Sequence, residues 1–393
     1  MGRAFFPLDE RLALLPTAYS PFLVEAMVRL GARLPFAQVA QEMALLFGVS
    51  VSPDTVRRLT EEAGAVQVAI EERELERIEH DAPDEQAGPP IQQVSADGAM
   101  VPLVGGQWTE VRTIAIGALE VEEGRAHAHD LTYFSRRCLA DQFIRQATLP
   151  TYERGTRGAE TVVAVMDGAP WLQELIDEQC PAAVRIIDFA HAVSYLSGAA
   201  QAAFGAGSRE AAVWLDEWVP VLKRGEPEAV LAAIRALPAA GGEAATAKGT
   251  AIRYLGSRTE QLRYATFVAA GYPIGSGIVE SAGKLVVEAR MKGSGMHWSP
   301  QQITPLLALR GRLCSGQWTQ TWTGIWQEWR AQVVQRGREA QRRRQAERVR
   351  TWAAETPAPL ESSPKPERLK TIVNGKPTDD HPWKKRSAGA LTS

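Results

Sequence analysis

The sequence predicts an α/β protein built on a mixed sheet, with a helical module before the sheet and a basic helix and tail after it. Three observations carry that reading. Apolar residues recur at helical spacing before residue 82, short strand-like runs fill 91–189, and a long Ala-rich helical stretch separates them from a last block at 271–329. At roughly 100–200 residues per domain, a chain of 393 residues holds two or three domains. With 45% hydrophobic and 23% charged residues it can bury a core, which excludes wholesale disorder.

Along the chain the expected order is a helical module at 1–81, a linker at 82–90 and the first part of the α/β domain at 91–194. A helical stretch at 195–270, the second part of the α/β domain at 271–329, an Arg-rich helix at 330–355 and a disordered tail at 356–393 follow. The linker is marked by Pro83, Gly88, Pro89 and Pro90, and the tail by its Pro, Ser, Lys and Gly content.

A net charge of −2 gives no average reason to expect a polyanionic partner. The average conceals an asymmetry. Residues 66–86 hold eight acids against Arg73 and Arg77, whereas 330–350 hold eight arginines against Glu339 and Glu347. Cys138, Cys180 and Cys314 form no paired motif, which excludes a disulfide framework and a zinc ribbon. No apolar run approaches the roughly 18–20 residues of a membrane span, and the first residues read as neither a signal nor a transit peptide. The expected location is the cytoplasm, without a membrane partner.

In the helical module, Phe36, Val39, Ala40, Met43 and Leu46 lie at helical spacing and Gly48 stops the run. Ser52, Pro53 and Asp54 then supply an N-cap, a first-turn proline and an acid at the positive helix end. Val56 and Leu59 face inward, Arg57 and Arg58 outward, and Gly64 is the expected stop. Two helices joined by a tight turn match a helix-turn-helix, with Arg57 and Arg58 as DNA contacts; an ordinary helical hairpin fits the spacing equally.

Past the linker the period changes to that of strands. Residues 91–97 form a short strand-like run ending on Asp97 before Gly98; 109–121 is β-rich, and 126–133 pairs with it. Residues 161–167 run into Asp167 before Gly168, and 182–189 reach Asp188. Acids at the carboxyl ends of strands in an open α/β sheet stand where sites form. Two aspartates joined by a third carboxylate make an all-oxygen site suited to two Mg²⁺ (or Mn²⁺) ions, an arrangement able to drive phosphodiester cleavage. Each acid alone also fits a turn former or helix cap.

The third acid comes after the helical stretch. Gly275, Ser276 and Gly277 start a helix with Ser276 as its cap, and Glu280 falls on the first turns. The competing reading is a surface helix laced at i,i+4 spacing by Glu280, Lys284 and Glu288.

The run 272–292, with GSGIVES followed by VVEARMKGSGMHW, resembles the block around the catalytic glutamate in DDE transposases of bacterial insertion sequences, specifically the ISKra-four type. ADGAMVPL at Asp97, MDGAPW at Asp167, FFPLDERLALLP and PFAQVAQEMALLFGVSVSPDTVRRLTEEAGA resemble that family too, so the match extends from Phe5 to about Trp318, with a weaker echo in DHPWKK. The resemblance implies an RNase H-like catalytic fold with Asp97, Asp167 and Glu280 as the DDE triad and metal ligands, and 195–270 as a helical insertion domain. Asp188 and His191 match an Asp-x-x-His signature near the active site of related transposases, implying supporting roles; His191 alone also fits a satisfied helix histidine. Family members carry cysteine-rich sequence upstream of the first matching block, and that portion is not in this sequence.

Partners follow from the same resemblance: double-stranded DNA, as insertion-sequence ends and target, a homodimer on DNA, and a nucleoid-associated location. Lys284, Arg290, Lys292 and His297 cluster after Glu280 as candidate phosphate contacts. Arg336, Arg338, Arg342, Arg343, Arg344 and Arg348 form the strongest non-specific DNA-binding candidate, with a solvated basic helix as the alternative. Trp318, Trp322, Trp326 and Trp329 make one helical stripe, which fits a core or interface better than a base-stacking platform. Trp298 braces the catalytic helix or stacks on a base, and Trp171 is similarly open. A DNA-binding regulator and a nuclease unrelated to transposition are the alternative functions.

Overall fold

The computed structural model describes residues 19–122, 125–239, 241–355, 371–379 and 381–387. The resembling block at 5–16 and the tail segment 356–370 lie outside the described residues. The chain divides into two compact units, 1–333 and 334–393.

Among the described residues of the first unit, three helices come first: α1 (Pro21–Gly31), α2 (Phe36–Phe47) and α3 (Pro53–Asp81). Ser20 and Ser52 accept hydrogen bonds from the N–H groups of Leu23 and Thr55, and Pro21 and Pro53 occupy the first turns. Gly48, at φ +63°, ends α2 in the left-handed conformation that glycine adopts without strain. The stop expected at Gly64 is absent. α3 runs on to Asp81 because Gly64 serves a close approach: a Cβ there would lie 2.4 Å from the carbonyl oxygen of Pro305 in the later helix Pro300–Cys314.

Among the described residues, five strands form a mixed sheet in the order β3-β2-β1-β4-β5. They are β1 (Ile91–Pro102), β2 (Trp108–Glu122), β3 (Arg125–Arg136), β4 (Thr161–Met166) and β5 (Val184–Ile187). β1 pairs with β2, and β2 with β3, antiparallel; β1 pairs with β4, and β4 with β5, parallel. β1 does not end on Asp97 as its sequence suggests. It continues to Pro102 as one arm of a hairpin with β2, where the partner strand supplies the ladder, and Asp97 faces Thr113 across that pair.

Side-chain alternation sorts the strands onto two faces. On one, Val94, Ala96, Ile114, Val162 and Ala164 pack with Phe143 and Ile144 of α4 (Ala140–Gln146), beside the short α5 (Thr148–Glu153), and with Leu172 and Ile176 of α6 (Pro170–Gln179). On the other, Val163, Val165 and Ile186 meet α7 (Phe189–Phe204) and the helical stretch that follows it: α8 (Arg209–Lys223), α9 (Pro227–Ala236), α10 (Gly242–Gly256) and α11 (Tyr264–Ala269).

That second face also carries a core at the β1–β2 end. Val101, Val111 and Ala115 join Val279 and Ala282 of α12 (Gly277–Ala282) and Val286 and Val287 of the π-helical turn Gly283–Glu288 that follows. After α13 (Ala289–Met291) and α14 (Pro300–Cys314), α15 (Trp318–Glu355) adds Trp318, Trp322 and Trp329, all under 9% exposed, so the tryptophan stripe is core. Val24, Met27, Val39, Met43, Val56 and Leu59 belong to the same cluster. The N-terminal helices therefore share one core with the helix that bears Glu280.

Buried charges lock that shared core. Glu71 of α3, 5% exposed, accepts from Arg136 at the end of β3, from Arg312 of α14 at 3.0 Å and from Gln67 at 2.9 Å, while Arg312 also pairs with Glu153 at 2.8 Å. One acid of the charge-rich run is thus internal, which no local pattern marks.

In the second unit the tail is not wholly without structure. Ile372–Val373 (β6) pairs with Lys376–Pro377 (β7) around Asn374 and Gly375, both at positive φ, and a short α16 (Pro382–Ser387) follows. Among the described residues, no helix is long and apolar enough to cross a membrane.

Candidate active site

Strand register brings three acids level. Val94 pairs with Ala164, and the same offset carried three residues on sets Asp97 beside Asp167; Met166 pairs with Ile187, so the next step sets Asp167 beside Asp188. The row lies just past the paired part of β4 and β5, at the end of the sheet where their chains turn into α6 and α7. An open cleft of about 320 Å³ receives Asp97, Asp167, Asp188, His191, Ser276 and Glu280.

Asp97 and Asp167 are held alike. Asp97 Oδ1 accepts from the Gly98 N–H at 2.7 Å, and Asp167 Oδ1 accepts from the Ala169 N–H at 2.8 Å. Among the described residues, each keeps its second carboxylate oxygen without a hydrogen-bond partner. Gly168, at φ +75°, makes the turn after Asp167.

Asp188 differs, because both its oxygens are engaged. It is 5% exposed, caps α7 by accepting from the His191 N–H at 2.8 Å, and with Oδ2 accepts from the N–H of Ser276 at 2.7 Å and its hydroxyl at 2.9 Å. The sequence makes Ser276 the cap of the Glu280 helix, but its hydroxyl turns to Asp188 and α12 has no side-chain cap. Ser276 at φ −85° and ψ 24° is not in the extended conformation of a capping residue, and its hydroxyl is aimed at the Asp188 carboxylate. Asp188 thereby ties β5 to the start of the Glu280 helix and is occupied as a holder.

Glu280 is exposed on the first turn of α12. The laced-helix reading fails here. No salt bridge joins Glu280 to Lys284, and Glu288 pairs instead with Lys292 at 2.7 Å. The π-helical turn from Gly283 to Glu288 widens the helix between them, and Arg310 of α14 donates to the carbonyls of Leu285 and Val286 within it.

Electrostatically the cleft is a carboxylate cluster with one imidazole beside it. Burial first, and then the neighbouring Asp167 and Glu280 carboxylates, push the Asp97 carboxyl above its ordinary range, against the Gly98 N–H and His191, which act the other way. Such repulsion is relieved by a cation, and hard oxygen donors suit Mg²⁺ or Mn²⁺. Among the described residues, no three His, Cys, Asp or Glu side chains are gathered closely enough to hold an ion as they stand, so ion binding requires the carboxylates to turn inward.

Residues without a sequence signal complete the site. The Tyr254 hydroxyl on α10 donates to the Asp167 carbonyl, Arg258 donates to the Gly168 carbonyl at 3.0 Å, and the Tyr254 ring stacks on Tyr195 at 3.9 Å with His191 edge-on at 5.7 Å. A tyrosine and an arginine four apart look like ordinary surface residues.

The basic candidates separate. Arg290 is no phosphate contact: it is 2% exposed, donates to the Gly31 carbonyl, lies against Phe36 and Trp298, and burial with Arg310 nearby pushes it down to about 10. Its helix position, which reads as solvated in sequence, faces the shared core. Trp298 is buried and donates to the Met291 carbonyl at 3.0 Å, so it braces the end of the Glu280 helix. Trp171 packs edge-on to Phe143 at 5.9 Å with Arg112 over its ring. Lys284 and His297 are exposed beyond Glu280, and Lys292 is held by Glu288.

Away from the cleft, Arg57 pairs with Asp54 at 2.6 Å and Glu61 at 2.7 Å, and Arg58 with Glu62 at 3.1 Å, so acids match both arginines. In the second unit Arg336, Arg338, Arg342, Arg343, Arg344 and Arg348 are all exposed. Compared with known proteins, the chain matches no protein-family model and no curated protein.

Proposed function

We propose that the protein is a DNA transposase of the DDE type, with an RNase H-like catalytic domain, that cleaves phosphodiesters at insertion-sequence ends and joins them to target DNA. The observation that carries this reading is the level placement of Asp97 on β1 and Asp167 just past the end of the adjacent parallel β4, with Glu280 brought to the same cleft by the Asp188 to Ser276 link. The strand order, antiparallel through β3, β2 and β1 and parallel through β1, β4 and β5, supports the fold reading.

Asp97, Asp167 and Glu280 are the residues that would hold two Mg²⁺ or Mn²⁺ ions; Asp188 is excluded because its oxygens are engaged. When bound, such ions activate an attacking oxygen and stabilise the leaving oxygen of a phosphodiester. The chain's own part is to orient. Gly98 and Ala169 N–H groups fix one oxygen of each aspartate, leaving the other for the cleft. His191 stands beside the carboxylates to meet a DNA phosphate. Hydrolysis at an element end frees a 3′-hydroxyl, which then attacks the target strand, so no covalent link to the chain forms.

Double-stranded DNA is the partner, held by the exposed arginines of α15, and paired ends call for a homodimer on DNA in the cytoplasm. The test is cleavage of labelled insertion-sequence ends in Mg²⁺ by the full chain and by Asp97→Ala. End-specific cutting lost in the variant supports the proposal. Binding without cutting marks a regulator, and cutting without end preference marks a nuclease; either overturns it.

A further inference from the structure

We propose that the helical segment between β5 and α12 positions the catalytic carboxylate of Asp167, with Tyr254 and Arg258 clamping the Asp167–Gly168 turn; this rests on the reading of Asp167 as a metal ligand. Asp167 lies one residue past the end of β4, where the sheet ladder no longer holds its backbone. Its carbonyl accepts instead from the Tyr254 hydroxyl, and the next carbonyl, that of Gly168, accepts from Arg258 at 3.0 Å. Within the turn itself a single hydrogen bond, from the Ala169 N–H to Asp167 Oδ1, orients the carboxylate.

The clamp is itself immobilised. The Tyr254 ring is stacked on Tyr195 at 3.9 Å, within 10° of parallel, and the Arg258 guanidinium lies over it at 4.4 Å. Space is tight as well. At Gly168 a Cβ would meet the Tyr254 hydroxyl at 2.8 Å and Arg258 Nε at 3.1 Å, so the φ of +75° and the two donors specify one turn together. Tyr195 stands on α7, the helix that Asp188 caps, so the clamp and the Asp188 to Ser276 tie meet on one helix. Tyr254 acts through Asp167 and is a positioning residue.

Tyr254→Phe keeps the stacked ring and removes only the donor. The experiment titrates Mn²⁺ alone into the full chain and its Tyr254→Phe form, and follows amide exchange over 166–170 with thermal melting as a check on folding. We expect Mn²⁺ affinity to fall about 10-fold, as for other residues that orient a ligand, with faster exchange over 166–170 and a near-native melting temperature. Excess Mg²⁺ should then restore cleavage. Unchanged Mn²⁺ affinity with unchanged exchange overturns the clamp. If the unaltered chain binds no Mn²⁺, the functional reading falls, while the exchange comparison still decides whether Tyr254 holds the turn.

Discussion

Asp188 Oδ2 accepts two hydrogen bonds from one residue, the N–H of Ser276 at 2.7 Å and its hydroxyl at 2.9 Å. A buried carboxylate thus sets where the Glu280 helix begins. Asp188→Asn keeps the shape but replaces an acceptor oxygen with a donor facing two donors. We expect a loss of about 1–3 kcal/mol in urea unfolding and a larger loss of cleavage than of DNA binding. A variant with unaltered cleavage contradicts this role.

The raised Asp97 carboxyl gives a pH signature. The folded chain holds the Asp97 proton to higher pH than the unfolded chain, where the group titrates near ~3.9. Between those values the folded state binds more protons, so this residue lowers stability as pH rises through the window, and the cost is complete above it. Asp97→Asn should therefore melt higher than the unaltered chain at pH 7 while losing cleavage, and the difference should shrink on going to acid. Added Mg²⁺ should stabilise only the unaltered chain. An Asn variant that melts lower at pH 7 with the same pH slope contradicts the charge account.

Gly64→Ala would improve helix propensity by about 1 kcal/mol if Gly64 were merely solvated. Its Cβ meets Pro305 instead, so we expect net destabilisation of about 1–3 kcal/mol by denaturant unfolding.

DNA affinity should depend on α15 more than on α3. Replacing Arg342, Arg343 and Arg344 with Gln should weaken binding and flatten its salt dependence, by about 0.9 in log–log slope for each phosphate no longer neutralised. Arg57→Ala should change affinity little, because Asp54 and Glu61 already match its charge. Filter binding across salt concentrations distinguishes the two.

Much of this is legible from residue types because it is local. Ser52 and Pro53 start α3, alternation marks the strands, and the Asp-Gly step at Asp167 sits where β4 ends, whereas at Asp97 pairing with β2 carries β1 on to Pro102. What escapes depends on neighbours remote in sequence. Gly64 reads as a helix stop until Pro305 is beside it, Arg290 reads as solvated until Gly31, Phe36 and Trp298 surround it, and Ser276 reads as a cap until its hydroxyl is aimed at Asp188. Tyr254 carries no pattern, since its partner is a backbone carbonyl of a distant turn. Even the −2 net charge misleads, because acidic and arginine-rich segments cancel in the sum.

The central claim is that Asp97, Asp167 and Glu280 act as one divalent-cation site. Its most direct measurement is Mn²⁺ titration of the full chain beside Asp97→Asn, Asp167→Asn and Glu280→Gln. Saturable binding to the unaltered chain, weakened by each substitution, is the expected result; equal binding by all four proteins would contradict a shared cation site.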